Sequence, residues 1–211
     1  MNFTSQNEPI PTTTPGDILI QRVNAPEEIE AYTFDSQFGL HASYKSLYTK
    51  KESLTQSARK KDAVVVLALC DRSHIMGFTV LAYPKENERW AKLRPAIMME
   101  IQAIEVGRSR RSAGVARMML EMVMAPPWIE DKIIYMVGYS WTWDLDGSGK
   151  SAQAYRKMLI NLFEPYGFQE YPTNEPNICL RPENLLMGRV GANVSAEARN
   201  GFKWLRFGLG M

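Results

Sequence analysis

Apolar residues along the chain fall into short runs, some with the spacing of strands and others with the spacing of helices. Ala63 to Cys70 is an almost continuous aliphatic run, which predicts a strand covered on both faces. A polar turn over Asp71 to His74 separates it from a second run over Ile75 to Tyr83, so the pair predicts a hairpin. Further strands are predicted over residues 17–23, 96–106 and 133–139, around Cys179, and over 185–190.

Other stretches have the period of helices. One apolar face runs through residues 112–124, and Ala125-Pro126-Pro127 ends that helix. Ala25 to Glu28 opens an earlier helix, Tyr44 to Arg59 reads as a polar helix, and Ser195 caps a last short one. A second helical stripe consists of Tyr155, Met158, Leu159, Leu162 and Phe163.

The order of these elements predicts the fold class. Hairpin-like strands come first, followed by a strand–helix–strand–helix passage and then more strands. This order predicts an α/β (α+β) fold whose mixed sheet contains at least one parallel pair. We expect a flexible tail over residues 1–16, which are rich in Pro, Thr and Asn, and a single domain over 17–211.

Composition narrows the possible functions. The 211 residues carry a net charge of only +2, which gives no global attraction to nucleic acid or to an anionic membrane, so an anion site would have to be local. No run reaches the roughly 18 apolar residues of a membrane span, and the N-terminus lacks an apolar signal core, so we expect a cytoplasmic protein. The two cysteines, Cys70 and Cys179, and the two histidines, His41 and His74, lack the spacing of metal ligands. Both cysteines are predicted to be buried free thiols.

The most informative stretch joins the strand over 96–106 to the helix over 112–124. Within it, Arg111-x-x-Gly114-x-Ala116 fits the pattern Arg/Gln-x-x-Gly-x-Gly/Ala. Small residues let a ligand approach the backbone, and the free amides and partial positive charge of a helix start favour a pyrophosphate. The alternative is an ordinary turn with solvated arginines. Four arginines could also serve a further phosphate: Arg108, Arg110, Arg111 and Arg117.

A second glycine-rich run imitates a nucleotide-binding loop. Gly147-Ser148-Gly149-Lys150-Ser151 ends like a P-loop, but the full motif needs glycine five residues before Gly149, where Asp144 stands. A carboxylate at that position would face phosphate. We therefore interpret the run as a turn that enters the Tyr155 helix.

The turn around Gly114 resembles motif A of the GNAT acetyltransferases, and most of the chain from about residue 17 onward resembles the acetoin-utilisation acetyltransferase (AcuA-like) family. Ala116 stands where many members have glycine. The residues that carry the second resemblance are Tyr83-Pro84, Glu88-Arg89-Trp90, Ala103-Ile104-Glu105-Val106, Tyr139-x-Trp141-x-Trp143-Asp144-Leu145, Tyr155-Arg156-Lys157-Met158, Glu175-Pro176, Asn184-x-Leu186-Met187-x-Arg189-x-Gly191, Val194-Ser195 and Leu205-Arg206-Phe207.

The resemblance implies a GNAT fold whose mixed sheet is splayed between its fourth and fifth strands, with acetyl-CoA as cosubstrate and its thioester arm in the gap. It also implies a protein substrate, namely a lysine of an AMP-forming acetyl-CoA synthetase. The cofactor-binding residues are then Ile104, Val106, Arg111, Ser112, Ala113, Gly114, Val115 and Ala116.

Acetyl transfer to an amine needs a base, because a free lysine has a pKa of about 10.4. Glu100 is the first candidate: strict alternation would place it on one strand face with Gln102, Ile104 and Val106, whereas an ion pair with a residue such as Arg94 is the structural alternative. Glu105 ranks second, on the other face and nearer the cofactor.

The leaving thiolate needs little help, but many GNAT enzymes place a tyrosine acid about four residues before a Gly-Phe pair. Here that position is Phe163, which cannot donate a proton. Tyr155, two turns earlier on the same stripe, could contact the thiolate or simply belong to the core, and Tyr139 is a further candidate. Trp141 and Trp143 alternate as on a strand, either as sheet aromatics or as a rim for a partner protein.

Three functions remain open at this point. The chain is a protein lysine acetyltransferase, a small-amine acetyltransferase on the same fold, or a non-catalytic acyl-CoA-binding regulator. The first two consume acetyl-CoA, whereas the third binds it without releasing CoA.

Overall fold

A computed structural model describes residues 18–39 and 50–209. The predicted tail lies outside them, as do His41 and residues 44–49 of one predicted helix, and the division into tail and single domain stays a prediction. The strands are β1 (Ile18–Arg22), β2 (Thr33–Phe34), β3 (Val64–Cys70), β4 (His74–Ala82), β5 (Met98–Val106), β6 (Ile133–Gly138), β7 (Gln169–Glu170) and β8 (Leu185–Val190). The helices are α1 (Pro26–Glu30), α2 (Lys51–Ala58), α3 (Val115–Met124), α4 (Leu145–Ser148), α5 (Ala152–Phe163), α6 (Pro176–Cys179) and α7 (Ala196–Leu205).

The strands form one mixed sheet in the order β1-β3-β4-β5-β6-β8-β7, with the two-residue β2 paired to β4. Strands β1, β3, β4 and β5 pair antiparallel, β5 and β6 pair parallel, and β6, β8 and β7 pair antiparallel. Helix α3 makes the crossover that a parallel pair requires. The predicted α/β mixed sheet with a parallel pair is therefore confirmed.

Helices cover both faces of this sheet. On the first face, Met119 of α3 and Leu159 of α5 belong to one buried cluster with Ile101 of β5. On the second face, one cluster forms around Phe78 beneath α1 and α2, and another around Tyr135 beneath α6 and α7. All seven residues of β3 are buried, as its continuous apolar run predicted.

Two local predictions were wrong. Helix α2 begins at Lys51, because Lys50 has the extended backbone of an N-cap (φ −132°, ψ 144°). Cys179 ends the short helix α6 instead of lying on a strand, and its side chain is exposed, whereas Cys70 is buried as expected. A lone cysteine does not define a strand by periodicity. Between β4 and β5 the chain forms a 3-10 turn over Arg89–Lys92, whose Trp90 is buried in the Tyr135 cluster.

The sheet opens between β5 and β6. Their pairing joins Met98–Glu100 to Ile133–Tyr135 and goes no further, although β5 continues to Val106 and β6 to Gly138. Along the path from β1 these are the fourth and fifth strands, so the expected splay lies where the resemblance implied. Beyond Glu100, no strand in the described part of the chain pairs with the edge of β5 that faces β6.

A β-bulge at Gln102 changes which side chains of β5 share a face. Val80 lies opposite Ala103 but the next residue, Leu81, lies opposite Ile101, so Gln102 is skipped. Glu100 and Glu105 consequently lie on the same face, the second face of the sheet. Strict alternation had placed Glu100 with Ile104 and Val106, and Glu105 on the other face; both assignments were wrong because the extra residue inverts the alternation.

Among the described residues, no helix is long and apolar enough to cross a membrane. The same residues contain no group of three or more His, Cys, Asp or Glu side chains arranged to hold a metal ion.

Candidate functional site

The turn between β5 and α3 holds its backbone in an unusual conformation. Ser112 has φ +68° and Gly114 has φ +76°, both in the left-handed region. Helix α3 begins at Val115, three residues later than the apolar pattern predicted, because Gly114 is its N-cap. A Cβ built on Gly114 would meet nothing within 4 Å, so the space outside this residue is open to a ligand.

The backbone N–H groups of this turn are available. Among the described residues, none supplies an acceptor for the amides of Ser112, Ala113, Gly114, Val115 or Ala116. Ser112, Ala113 and Gly114 are also exposed. Successive free amides beside left-handed residues at a helix N-terminus form an anion-binding concavity. The predicted cofactor turn therefore has the donors that a pyrophosphate needs.

The sequence suggested that four arginines could serve a phosphate, but two of them, Arg108 and Arg111, are engaged by a carboxylate. Arg108 donates from Nε to Oδ2 of Asp144 at 2.7 Å, and Arg111 Nη1 lies 2.7 Å from the same oxygen. Arg111 Nε also donates to the Val106 carbonyl at 3.2 Å. Arg117 remains exposed on the first turn of α3. The sequence could not reveal Asp144 as the partner, because it lies 36 residues after Arg108.

Glu100 stands where β5 and β6 part. It lies opposite Ala82 on one side and opposite Tyr135 on the other. Burial, with a smaller contribution from the nearby Glu88 charge, raises the pKa of Glu100 to about 7. Arg94, the proposed structural partner, donates instead to the carbonyls of Ala91 and Leu93. A carboxyl group that titrates near neutrality at the mouth of the gap suits a general base.

Glu105 lies on the same face, nearer the turn. Burial raises the pKa of Glu105 to about 8, against the opposing attraction of Arg111 and with the help of the Asp144 charge. These partners place Glu105 close to the arginines of the cofactor turn. In the pairing of β5 with β4, Glu105 lies opposite Phe78.

Two tyrosines beside Glu100 extend the site, and sequence reasoning did not single out the first of them. Tyr135 is fully buried, and its hydroxyl has no hydrogen-bond partner among the described residues. Burial raises the pKa of Tyr135 well above its ordinary value, with Glu100 and Glu88 adding to the effect. Burial likewise raises the pKa of Tyr139 to about 12. Both hydroxyls are therefore proton donors at neutral pH. The missed signal was the polar end of Tyr135 in an otherwise apolar strand.

Tyr155 belongs to the core of the first face and lies beside the turn. Its ring stacks on Trp143 with the centroids 5.1 Å apart. Burial raises the pKa of Tyr155 to about 12, and the nearby Glu105 charge adds to this while Arg111 opposes it. Phe163, at the position of the tyrosine acid, is fully buried against Phe168.

The predicted strand through the two tryptophans is a 3-10 turn over Ser140–Thr142. Trp143 is buried under Tyr155, whereas Trp141 stacks on Tyr139 with the centroids 4.8 Å apart. The alternation of Trp141 and Trp143 suggested a strand, but a 3-10 turn can also direct two such side chains into different surroundings. Of these two tryptophans, Trp141 is the one on the side of the sheet that carries Glu100, because it stacks on Tyr139, which packs against the Tyr135 cluster.

Comparison with known proteins agrees with this geometry. No protein-family profile matches the chain. The acetoin utilization protein AcuA of Bacillus licheniformis is 31% identical over 195 residues, which are 92% of this chain and 91% of that protein. The chain belongs to the AcuA family. AcuA of Bacillus subtilis has the same identity and coverage.

Solved structures give the fold of this AcuA-family protein. The acetoin utilization protein of Exiguobacterium sibiricum superposes with a TM-score of 0.85 at 28% identity, over 95% of this chain and 93% of that one. Diaminobutyrate acetyltransferase EctA of Paenibacillus lautus, solved with its substrate and coenzyme A, reaches 0.54 at 12% identity, over 82% and 95%. The fold is that of the GNAT acetyltransferases. The chain therefore combines membership of the AcuA family with the fold of the GNAT acetyltransferases, one of which, EctA, was solved with coenzyme A bound.

Proposed function

We propose that this protein transfers the acetyl group of acetyl-CoA to a lysine side chain of a protein substrate, an AMP-forming acetyl-CoA synthetase in the cytoplasm. The observation that carries the acetyl-CoA part is the row of free amides from Ser112 to Ala116 at the start of α3. The protein substrate rests on family membership: the AcuA relatives are named for acetoin utilization.

The cofactor residues divide into two groups in this proposal. Ser112, Ala113, Gly114, Val115 and Ala116 bind the pyrophosphate through their amides, and Arg111 lies behind them. Ile104 and Val106 line the splayed end of β5, along which the thioester arm lies. Both side chains pack towards the first face, so the backbone edge is left for the ligand.

The acceptor amine approaches from the second face. Glu100 accepts the amine proton directly or through water, because its pKa of about 7 leaves it ionised at mildly alkaline pH. An amide on the open edge of β5 stabilises the negative charge that develops on the thioester oxygen. Direct attack of the amine on the thioester carbon then breaks the carbon–sulfur bond, and the sulfur leaves as CoA thiolate.

Tyr155 is the proposed donor to the departing sulfur, since its hydroxyl is protonated at neutral pH and lies on the side of the turn. Glu105 is the second candidate base. Its pKa of about 8 makes it a weaker match below that pH than Glu100.

The test is to incubate the protein with labelled acetyl-CoA and purified acetyl-CoA synthetase, and to locate the label by peptide mass spectrometry. We expect one acetylated lysine in the synthetase, loss of labelling with Glu100→Gln, and normal labelling with the exposed control Glu121→Gln. Transfer only to free diamines would support the small-amine alternative. Tight acetyl-CoA binding with no CoA released towards any acceptor would support the non-catalytic regulator.

A further inference from the structure

Asp144 is a buried carboxylate beside the cofactor turn, and its contacts run to two arginines and one backbone amide. The residue is only 2% exposed. Its two oxygens accept from Nε and Nη2 of Arg108, and Oδ1 also accepts from the Gly147 amide at 3.0 Å. Arg111 completes the ion pair from the other side. Burial alone would raise the pKa of Asp144, but these hydrogen bonds outweigh it and lower the pKa to about 2.

The loop after Asp144 is shaped around this contact. A Cβ on Gly147 would lie 2.1 Å from Nε of Arg108 and 2.2 Å from Oδ2 of Asp144, so no side chain fits there without separating the pair. This explains one glycine of the P-loop-like run: it admits a guanidinium instead of a phosphate.

The contact also reaches the end of β5. Arg108 lies inside the turn, and Arg111 joins the turn to the Val106 carbonyl through its Nε. One buried carboxylate thus holds the turn at two points, immediately before the residues with free amides. The side chains of Arg108 and Arg111 are 27% and 24% exposed, whereas that of Asp144 is 1% exposed, so the arginines cover the carboxylate from the solvent side.

We propose that Asp144 is a positioning residue for cofactor binding: by clamping Arg108 and Arg111, it holds the turn in the conformation that presents the amides of residues 112–116 to the CoA pyrophosphate. The inference rests on the proposed role of those amides. It assigns a function to the Trp-Asp segment that neither the acyl transfer chemistry nor the core packing requires.

Charge and position make opposite predictions here. CoA is polyanionic, so removing the Asp144 charge would strengthen its attraction to the two arginines if the arginines acted only as charges. If Asp144 positions the turn, the same removal weakens binding, because the loss of even one hydrogen bond from a displaced amide to a charged phosphate lowers affinity by roughly tenfold or more. The sign of the change in affinity therefore separates the two accounts.

The experiment measures the dissociation constant of acetyl-CoA by titration calorimetry for Asp144→Asn and Gly147→Ala. The first variant removes a charge from the contact of Asp144 with Arg108 and Arg111, whereas the second disturbs the same contact without changing the charge. We expect both to weaken binding by roughly tenfold or more and to raise KM for acetyl-CoA while kcat at saturation stays within about twofold. The control is Asp146→Asn, which removes an exposed charge that also acts on Arg108, and should change affinity by less than about twofold.

Unchanged or tighter binding by Asp144→Asn, with the wild-type melting temperature, would overturn the proposal. If Asp144→Asn does not fold, Arg108→Lys keeps the charge, loses the paired hydrogen bonds and decides the question by the same titration. Failure of the proposed function has a different signature: the wild-type protein would bind acetyl-CoA but acetylate no synthetase lysine, which leaves the titration of the clamp variants interpretable.

Discussion

Replacing Glu100 by glutamine is expected to make the protein more stable and less active, with both effects dependent on pH. Burial moves the pKa of this carboxyl from 4.5 to about 7, which corresponds to at most ~3 kcal/mol at ~1.36 kcal/mol per pKa unit. Since the folded-state pKa is the higher one, folding is favoured while the group is protonated. That stability is fully present below about pH 4.5 and is lost as pH rises through about 7.

Glutamine has nearly the same shape and carries no charge, so it avoids this cost. We expect Glu100→Gln to exceed the wild type by ~1–3 kcal/mol in free energy of unfolding at pH 8, and by almost nothing at pH 4.5. Urea unfolding at the two pH values measures the difference, with the exposed Glu121→Gln as control. In the same samples, CoA release at pH 8 should fall by about 100-fold or more.

A variant no more stable at pH 8 than the wild type would show that the Glu100 carboxylate is well solvated, and the reasoning from burial would fail. Equal gains at both pH values would point to packing rather than to charge. Greater stability with full activity would remove Glu100 as the base while leaving its burial intact.

Three further outcomes test the site. In the wild type, kcat/KM for the acceptor should increase with pH around 7 as Glu100 loses its proton, a step that the Gln variant should lack in stopped-flow or thiol-release assays. Gly114→Glu should abolish acetyl-CoA binding in calorimetry. The control is Gly149→Glu: this glycine also has a positive φ and nothing within 4 Å of its Cβ position, so the substitution has a similar backbone cost of ~1–2 kcal/mol, but the variant should bind acetyl-CoA normally. Tyr155→Phe should lower kcat by about tenfold with an unchanged melting temperature, because the ring keeps its stacking on Trp143; unchanged kcat would assign Tyr155 to the core alone.

Periodicity predicted most elements because their burial is simple. The run through β3 is buried on both faces and β8 ends where its apolar pattern ends, so hydrophobic spacing alone identifies them. Ser195 caps α7 by accepting from the Ala198 amide, as its position before an amphipathic stretch predicted. These signals are local and need no knowledge of the partner strand.

The errors arise where a distant contact decides the conformation. The Gln102 bulge exists only in relation to β4, and it alone places Glu100 and Glu105 on one face. Trp143 looks like a strand aromatic until Tyr155 of α5 stacks on it. Predicting faces from strict alternation assumes that the pairing of two strands is unbroken. The sequence of one strand does not show where the neighbouring strand lacks a residue opposite it.

For this protein the amino-acid order was enough to locate the turn from Arg111 to Ala116, because small residues between a buried strand and an amphipathic helix are a local signature. The tertiary structure decided what supports that turn. The carboxylate of Asp144 reaches Arg108 across 36 residues of chain, and it is buried only in the folded protein. The raised pKa of Glu100, about 7, is likewise a result of the tertiary structure, because it depends on the burial of the carboxyl after folding and not on its neighbours in sequence.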